Sequence, residues 1–449
     1  MKEAATTMID TLDEEKIQKF QWRMVITAGT GFFTDAYDLF IIGVVTTLLI
    51  PFWHLTVAQI AILNGASLAS AAVGALVFGA LADRYGRKKL YGLEILILFF
   101  GALLAAASPN YIWLLVARII VGFGIGGDYP SSAVVASEFS GKKNRGYLVL
   151  LVFAMQALGL LVGPLVASLL LAIHLPLHLV WRILLGLGAI PAASVFYLRR
   201  RIYESPRFLI AKQKEKLPLE VSRVVSHLAV GLKKSPGGLV QQSLLSKKWL
   251  KYLIGTAGSW FLLDVAFYGN GVSSVLILDA LGTNAHLLQR TLVSAAIFLI
   301  FAFPGYVMAA KYVDKIGRKP LQIFGFLVMC LCYLLIAMIP HLTTHILIFA
   351  LIFGASFFFV NFGPNTTTFL IPSEIYPANI RARAHGISAA VGKIGAFAGV
   401  FVLPILLKYC GLNAVMMMMA IVSVLGVFTT LLVPEMKNRA LEETELYDN

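Results

Sequence analysis

The chain has 449 residues, of which 59% are hydrophobic and only 13% charged, and its mean hydropathy is +0.82. A soluble domain of this length with that balance would have an apolar surface, so the composition excludes a soluble globular protein. The net charge of +14 would suit a nucleic-acid-binding protein, but no aromatic-rich basic domain accompanies it. We therefore expect no nucleic acid as a partner.

Apolar runs of about 20 residues recur along the whole chain, and each is long enough to cross a hydrocarbon core of about 30 Å. They are predicted to be helices, because a spanning segment must satisfy its backbone polar groups internally. The sequence predicts twelve spans, at residues 22–50, 58–82, 90–107, 111–137, 147–173, 179–199, 250–279, 287–311, 320–339, 344–371, 384–408 and 412–433.

The segments between the spans alternate in charge. Residues 1–20 are polar and lack the apolar region of a signal peptide, so we expect them to be retained. The loops at 83–89 and 138–146 carry several Lys and Arg residues, whereas those at 108–110 and 174–178 carry none. Basic loops stay in the cytoplasm, which predicts a multi-pass protein of the cell membrane with both termini cytoplasmic. Cys330 and Cys332 fall inside a predicted span and Cys410 lies between two spans, so we expect no disulfide framework, metal site or cofactor.

Two loop motifs occur twice. "DRYGRKKL" at 83–90 returns as "DKIGRKPL" at 314–321, and "SEFSGKKNRG" at 137–146 is echoed by "SEIYPANIRARAHG" at 373–386. Each pair follows equivalent predicted helices, the second and the fourth of a six-helix half. Internal repeats of this kind, with a site between the halves near the midplane, are typical of secondary transporters.

The repeat predicts an all-α membrane fold of two pseudo-symmetric six-helix bundles. The bundles would comprise residues 1–199 and 250–449, joined by a basic cytoplasmic linker at 200–249. An Asp and a Gly at fixed spacing beside basic residues could latch neighbouring helices, although the basic residues could also serve only to fix orientation. The candidate gate residues are Asp83, Arg87, Glu138, Arg145, Asp314, Arg318, Glu374 and Arg381.

Polar side chains inside the spans are the candidates for a site, because burying them is unfavourable unless they are paired or wet. Counting residues from the helix ends at 1.5 Å each places six groups from six helices at similar depth in the membrane. They are Asp35, Tyr129, Gln156, Asp264, Asn365 and Lys393.

Two of these spans carry the strongest signals. Trp260, Asp264 and Tyr268 are spaced i, i+4 and i+8, so they share one face of the seventh helix; the alternative is a core aromatic stripe with one tolerated Asp. Lys393 is the single charge within residues 388–407. It would attract an anion strongly in a dry cavity, or else pair with Asp264 to hold two helices together.

Several further stretches are long and specific. "YESPRFL" and "PEMKNRALEE" are similar to motifs of the sugar porters and their relatives in the major facilitator superfamily. "FFTDAYDLF" at 32–40, "GGDYPSSAVVASEF" at 126–139 and the region from "NFGPNTTTFLIPSEIYP" to "HGISAAVGKIGA" at 361–396 resemble the phosphate:proton symporter family of that superfamily. The positions that match the family's phosphate ligands are Tyr129, Gln156, Trp260, Asp264, Tyr268, Asn365 and Lys393.

A proton-coupled carrier also needs a group that binds a proton near neutral pH. Asp35 and Asp38 lie one helical turn apart, and two close carboxylates in a low dielectric should not both ionise. Asp128 is the next candidate, with capping of the glycine-rich stretch 122–127 as its alternative role. Arg118 is expected to brace helices, and the function of Glu94 is left open.

The resemblance implies a proton-coupled importer of inorganic phosphate that works by alternating access in the lipid bilayer. A symporter for another small organic anion or for a sugar is the first alternative, and a receptor that binds without transporting is the second. No pairing of a nucleophile with a base is present in the motifs, so an enzyme is not expected. The sequence leaves the oligomeric state and the proton stoichiometry open.

Overall fold

The computed structural model describes residues 17, 19–86, 90–141, 143–199, 244, 246–280, 287–342, 345–377, 380–439 and 441. Within these ranges the chain is almost entirely α-helical, and every predicted span falls on helix. Nine of the described helices are long and apolar enough to cross a membrane, and one of them is two spans merged across a kink.

The first half of the chain contributes six helices. They are α1 (Lys19–Trp53), α2 (Val57–Tyr85), α3 (Leu93–Ala107), α4 (Tyr111–Glu138), α5 (Arg145–Ala172) and α6, which consists of Leu177–Leu187 and Ala189–Arg199. The second half begins with α7 (Lys247–Val272 and Ser274–Ala280), α8 (Leu287–Ile297, a π-helical turn Phe298–Ala302, and Phe303–Ile316) and α9 (Arg318–Met338). It continues with α10 (Ile346–Phe362 and Pro364–Glu374) and with Arg381–Thr430, which comprises α11 (381–410) and α12 (412–430).

Glycine and proline set the breaks in these helices. The α10 helix is interrupted at Gly363, which has a φ of −115° and a ψ of −104°. Pro364 follows and lacks the N–H that would continue the first segment. We call the second segment, Pro364–Glu374, α10b. At the α11–α12 junction Gly411 has a φ of 80°, a conformation that other residues rarely adopt.

The two halves meet along α2 with α11 and along α5 with α8. Gly79 on α2 and Gly386 on α11 allow the close approach, because a Cβ atom at either position would strike the backbone of the other helix. Large apolar side chains such as Leu347 and Met338 remain exposed on the outside of the bundle, which suits a lipid-facing surface. The division at 1–199, 200–249 and 250–449 stays a prediction, since residues 200–243 and 245 lie outside the described ranges.

Helix direction defines the two ends of the molecule. We call the end at which α2, α4 and α8 finish and α5 and α11 begin the basic end, because the Lys- and Arg-rich loops of the repeat lie there.

Candidate functional site

Lys393 lies at the centre of a buried polar cluster between the two halves. Its side chain is 1% exposed. The ammonium Nζ lies 3.1 Å from Asp264 Oδ2 and donates a hydrogen bond of 2.9 Å to the Tyr268 hydroxyl. It also lies over two aromatic rings, 4.3 Å from the centroid of Tyr129 and 4.2 Å from that of Tyr268. Rings placed this way stabilise a cation in a desolvated site.

The α7 helix presents three of the predicted residues to this cluster. Trp260, Asp264 and Tyr268 are each about 1% exposed. The Tyr268 hydroxyl lies 3.0 Å from the Tyr129 hydroxyl of α4, and the Trp260 ring centroid lies 6.0 Å from that of Tyr129. The face predicted from the i, i+4, i+8 spacing therefore points into the contact between the halves.

A hydrogen-bond chain extends the cluster across α5, α8 and α10. Gln156 Nε2 donates to the Tyr268 hydroxyl at 3.4 Å, and the Tyr306 hydroxyl donates to Gln156 Oε1 at 2.9 Å. Asn365 Nδ2 contacts the Tyr306 hydroxyl at 2.6 Å and Asn361 Oδ1 at 2.7 Å. The structure thus joins all seven side chains predicted as ligands, and every one is at most 2% exposed.

Tyr306 and Asn361 are members of this cluster that the sequence did not single out as ligands. Tyr306 lies on α8, two residues after Pro304, and is fully buried. A polar ring inside a span next to a proline would have been the available signal. Together the cluster offers one ammonium, several hydroxyl and amide donors, and one carboxylate, which suits a small anion that carries its own protons.

A second group of buried ionisable side chains lies in the N-terminal half. Neither carboxylate oxygen of Asp35 has a hydrogen-bond partner among the described residues, although the side chain is fully buried. Asp38 Oδ2 is likewise without a partner within that part of the chain. Arg118 reaches α1 through its NH2 group, which donates to the backbone carbonyl of Asp38 at 2.8 Å. Arg118 thus braces α4 against α1.

Asp128 belongs to an ion-pair cluster. The Arg199 NH2 group donates to both Asp128 oxygens at 2.7 Å, and Arg199 NH1 lies 2.9 Å from Glu94 Oε1. Ser132 also donates to Asp128, and the guanidinium lies 4.1 Å from the Tyr91 ring centroid. The structure therefore assigns Asp128 an ion pair rather than the capping role considered from the sequence, and it gives Glu94 a partner. The sequence does not single out Arg199, because it stands next to the basic linker and its context resembles that of the charges that set orientation.

Buried ion pairs join the two halves at the basic end. The Glu374 carboxylate of α10b accepts a hydrogen bond of 2.8 Å from Arg145 of α5. It also accepts bonds of 2.9 and 2.8 Å from Nε and NH2 of Arg318. Arg381 of α11 lies 3.3 Å from Glu138 of α4. The repeat residues therefore pair across the halves, since Arg145 and Arg381 each contact the glutamate of the other half.

The aspartates of the repeated motif also contact the opposite half of the molecule. Asp83 Oδ2 accepts a hydrogen bond of 2.7 Å from the backbone N–H of Arg383, at the start of α11. In the same way Asp314 Oδ2 accepts one of 2.8 Å from the backbone N–H of Tyr147, at the start of α5, and Asp314 also pairs with Arg318. Each aspartate thus caps a helix of the opposite half. The predicted gate residue Arg87 lies outside the described residues.

Comparison with known proteins places the chain in a family. Residues 23–446 match the family model described as sugar (and other) transporter. The chain belongs to the major facilitator superfamily. Its fold is similar to that of the proton:xylose symporter XylE bound to 6-bromo-6-deoxy-D-glucose, with a TM-score of 0.80 and 18% identity over 95% of this chain and 98% of that one.

This major facilitator protein also has similar relatives in plants. It is 34% identical to the "Probable inorganic phosphate transporter 1-6" of Arabidopsis thaliana, over 97% of this chain and 96% of that protein. It is 36% identical to the "Putative inorganic phosphate transporter 1-13" of Oryza sativa subsp. japonica, over 97% and 93% of the two chains.

Proposed function

We propose that this protein is a proton-coupled importer of inorganic phosphate that works by alternating access. The names of the plant relatives support phosphate as the substrate, and the chemistry of the buried cluster is compatible with it. The basic end would face the cytoplasm, in line with the distribution of Lys and Arg, and both chain termini would lie on that side.

The placement of Lys393 is the observation that carries the proposal. A buried ammonium is unfavourable unless it is paired, and among the described residues Asp264 is the carboxylate that pairs with Lys393. Dihydrogen phosphate would bind beside Lys393 and receive hydrogen bonds from the Tyr129, Gln156, Tyr268 and Asn365 side chains. Asp264 would accept a hydrogen bond from a protonated oxygen of the anion, and Trp260 would supply an indole N–H donor.

Asp35 is the proposed proton carrier. A fully buried carboxylate without hydrogen-bond partners is strongly disfavoured as an anion, so a proton on this group is the arrangement that the geometry favours. Asp38, one turn further along α1, would share this role. Asp128, which is paired with Arg199, is the next candidate for this role.

Alternating access would require the basic-end ion pairs to separate. Glu374–Arg145 and Glu138–Arg381 join opposite halves in the present conformation, in which the cluster around Lys393 is closed to solvent. Opening this end would release the anion and the proton together into the cytoplasm.

Labelled phosphate uptake into proteoliposomes tests the proposal. The purified full chain should accumulate phosphate when the external medium is more acidic than the lumen, and a protonophore should abolish the accumulation. Unlabelled arsenate should compete, whereas an organic anion or a sugar should not. Uptake that equilibrates phosphate without concentrating it would exclude proton coupling. Liposomes that take up a labelled sugar but no labelled phosphate would exclude phosphate as the substrate.

A further inference from the structure

Six aromatic rings lie in contact with one another on the basic-end side of Lys393, and two of them, Tyr129 and Trp260, also belong to the cluster around Lys393. They come from α1, α4 and α5 of one half and from α7, α10b and α11 of the other, and they are Phe32, Tyr129, Phe153, Trp260, Phe369 and His385. We call this set the aromatic layer. Its central ring is Phe369, which stacks on Phe153 with centroids 4.4 Å apart and meets the His385 ring edge-on at 5.4 Å.

The aromatic layer lies between Lys393 and the ion pairs at the basic end. On α10b, Phe369 stands one helical turn after Asn365 of the cluster and five residues before Glu374 of the ion pairs. On α11, His385 lies one turn beyond Arg381 and two turns before Lys393, roughly 6 and 12 Å along the axis. Any anion that leaves the cluster towards the basic end must therefore pass the aromatic layer.

One polar atom of the His385 ring has no role in the packing of the aromatic layer. Its Nε2 lies 3.1 Å from the backbone carbonyl oxygen of Phe369. A carbonyl can only accept, so Nε2 carries the hydrogen and Nδ1 of the neutral ring is left as an acceptor. Nδ1 is buried and has no hydrogen-bond partner among the described residues.

An unpartnered acceptor in a fully buried side chain destabilises the conformation that contains it, whereas a phenylalanine at this position would keep the ring contacts without that loss. The edge-to-face contacts of His385 with Trp260 and Phe369, both at 5.4 Å, need only a ring. Packing alone thus accounts for the imidazole carbon edges and for Nε2, but not for Nδ1.

We propose that His385 is a release-side contact for the phosphate anion, engaged after the anion has left Lys393 and before it passes Arg381. Nδ1 accepts a hydrogen bond from a protonated phosphate oxygen, as Asp264 does in the cluster above. The inference rests on the proposed function, because it takes phosphate as the substrate. It adds a second site for that substrate on the path to the basic end.

The bond from His385 to Phe369 links this contact to the opening of the layer. Phe369 is carried by α10b, which is separated from the rest of α10 by the break at Gly363 and Pro364. When Phe369 leaves the centre of the layer, its carbonyl moves away from Nε2, and both imidazole nitrogens become available to the anion. Lys393, His385 and Arg381 then offer successive partners for phosphate along α11.

Phosphate counterflow from each end of the protein, at one fixed pH, tests the site. Right-side-out and inverted membrane vesicles present the two ends separately. The His385→Phe variant keeps the ring and removes the nitrogens, and His385→Gln keeps a donor and an acceptor. Phe32→Leu is the matched control, because it removes a ring of the same layer that has no polar atom.

For entry from the basic end, His385→Phe should raise the half-saturating phosphate concentration at least about tenfold, the effect expected for one lost hydrogen bond to an anion. For entry from the other end the change should stay within about twofold, since that path does not cross the layer. His385→Gln should recover most of the loss, and Phe32→Leu should slow counterflow from both ends without this asymmetry.

Two results would overturn the inference. One is an unchanged half-saturating concentration at the basic end in His385→Phe. The other is an equal rise at both ends, which would show that His385 acts only by packing on Trp260. Wild-type vesicles without phosphate counterflow from either end would instead overturn the proposed function itself, and the release-side site with it.

Discussion

Two of the buried ionic regions of this protein differ in their charge balance. In the cluster around Lys393, one ammonium faces one carboxylate, and the remaining groups are neutral hydroxyls and amides. In the N-terminal half, four carboxylates, namely Asp35, Asp38, Glu94 and Asp128, are accompanied by the guanidinium groups of Arg118 and Arg199. Among the described residues, the first region has more hydrogen-bond donor groups than carboxylates, and the second has more carboxylates than guanidinium groups.

This difference suggests how the two substrates are divided between the halves. Surplus donors stabilise a bound anion, and surplus carboxylates in a dry site stabilise a bound proton. The anion would then be held chiefly by α7, α10 and α11, and the proton by α1. Coupling would arise because α4 contributes to both regions through the adjacent residues Asp128 and Tyr129.

Of the variants proposed here, Lys393→Ala should weaken phosphate binding most. Lys393→Ala leaves Asp264 as an unpaired buried carboxylate facing the anion position, so we expect phosphate binding to fall by more than about 100-fold. Equilibrium binding of labelled phosphate to the purified protein measures this. Lys408→Ala, which removes an exposed lysine of the same helix, should bind phosphate normally. Binding by Lys393→Ala within about twofold of wild type would make the charge purely structural.

Asp264→Asn should impair both affinity and selectivity. The carboxylate can accept a hydrogen bond from protonated phosphate or arsenate but only repels sulfate, which carries no proton. Sites that bind a specific ligand hydrogen reject analogues without it by factors of up to about 10⁴ to 10⁵. The variant should lose most phosphate uptake, and arsenate and sulfate should become more equal as competitors. Sulfate that inhibits the wild type as well as arsenate does would contradict this role.

Asp35→Asn should remove proton coupling while leaving the anion cluster intact. Each coupled proton supports about tenfold accumulation per unit of pH gradient in electroneutral transport, and the amide cannot carry that proton. We expect phosphate exchange without a gradient to persist and gradient-driven accumulation to vanish, with Asp38→Asn acting in the same direction. If both variants still concentrate phosphate, Asp128 becomes the leading candidate for the carrier.

Glu374→Gln should have the smallest effect on phosphate binding, but it should loosen the contact between the two halves at the basic end. Removing the charge leaves Arg145 and Arg318 with less compensation, so Tm should fall by a few degrees. A cysteine introduced at the buried Ser137 near the basic end should also react faster with a thiol reagent. Glu435→Gln is the matched control, since Glu435 accepts from Arg318 and Lys319 backbone N–H groups within one half. Equal reactivity in the two variants would show that Glu374 does not hold the halves together.

Depth and periodicity were sufficient to predict the fold and much of the cluster. Apolar length placed every span, and the i, i+4, i+8 spacing oriented Trp260, Asp264 and Tyr268, because both properties depend on one helix at a time. The seven residues chosen by resemblance are contiguous in the structure.

Contacts between side chains of different helices could not be predicted from the sequence. Tyr306 enters the cluster from α8, where a π-helical turn changes the register just before it. Nothing in the residue pattern of 287–311 predicts that change. Arg199 has the same sequence context as the linker charges, and only the packing of α6 against α3 shows that it is fully buried. The crossed pairing of Arg145 with Glu374 required both halves to be in place.

The aspartate caps at the basic end have an evolutionary consequence. Asp83 and Asp314 bind the backbone N–H groups of residues 383 and 147, not their side chains. Almost any amino acid except proline could replace Arg383 or Tyr147 and keep the contact. These links between the halves should therefore leave no trace of paired substitutions among related sequences, and a contact map inferred from co-varying positions would omit two of the bonds that join the halves.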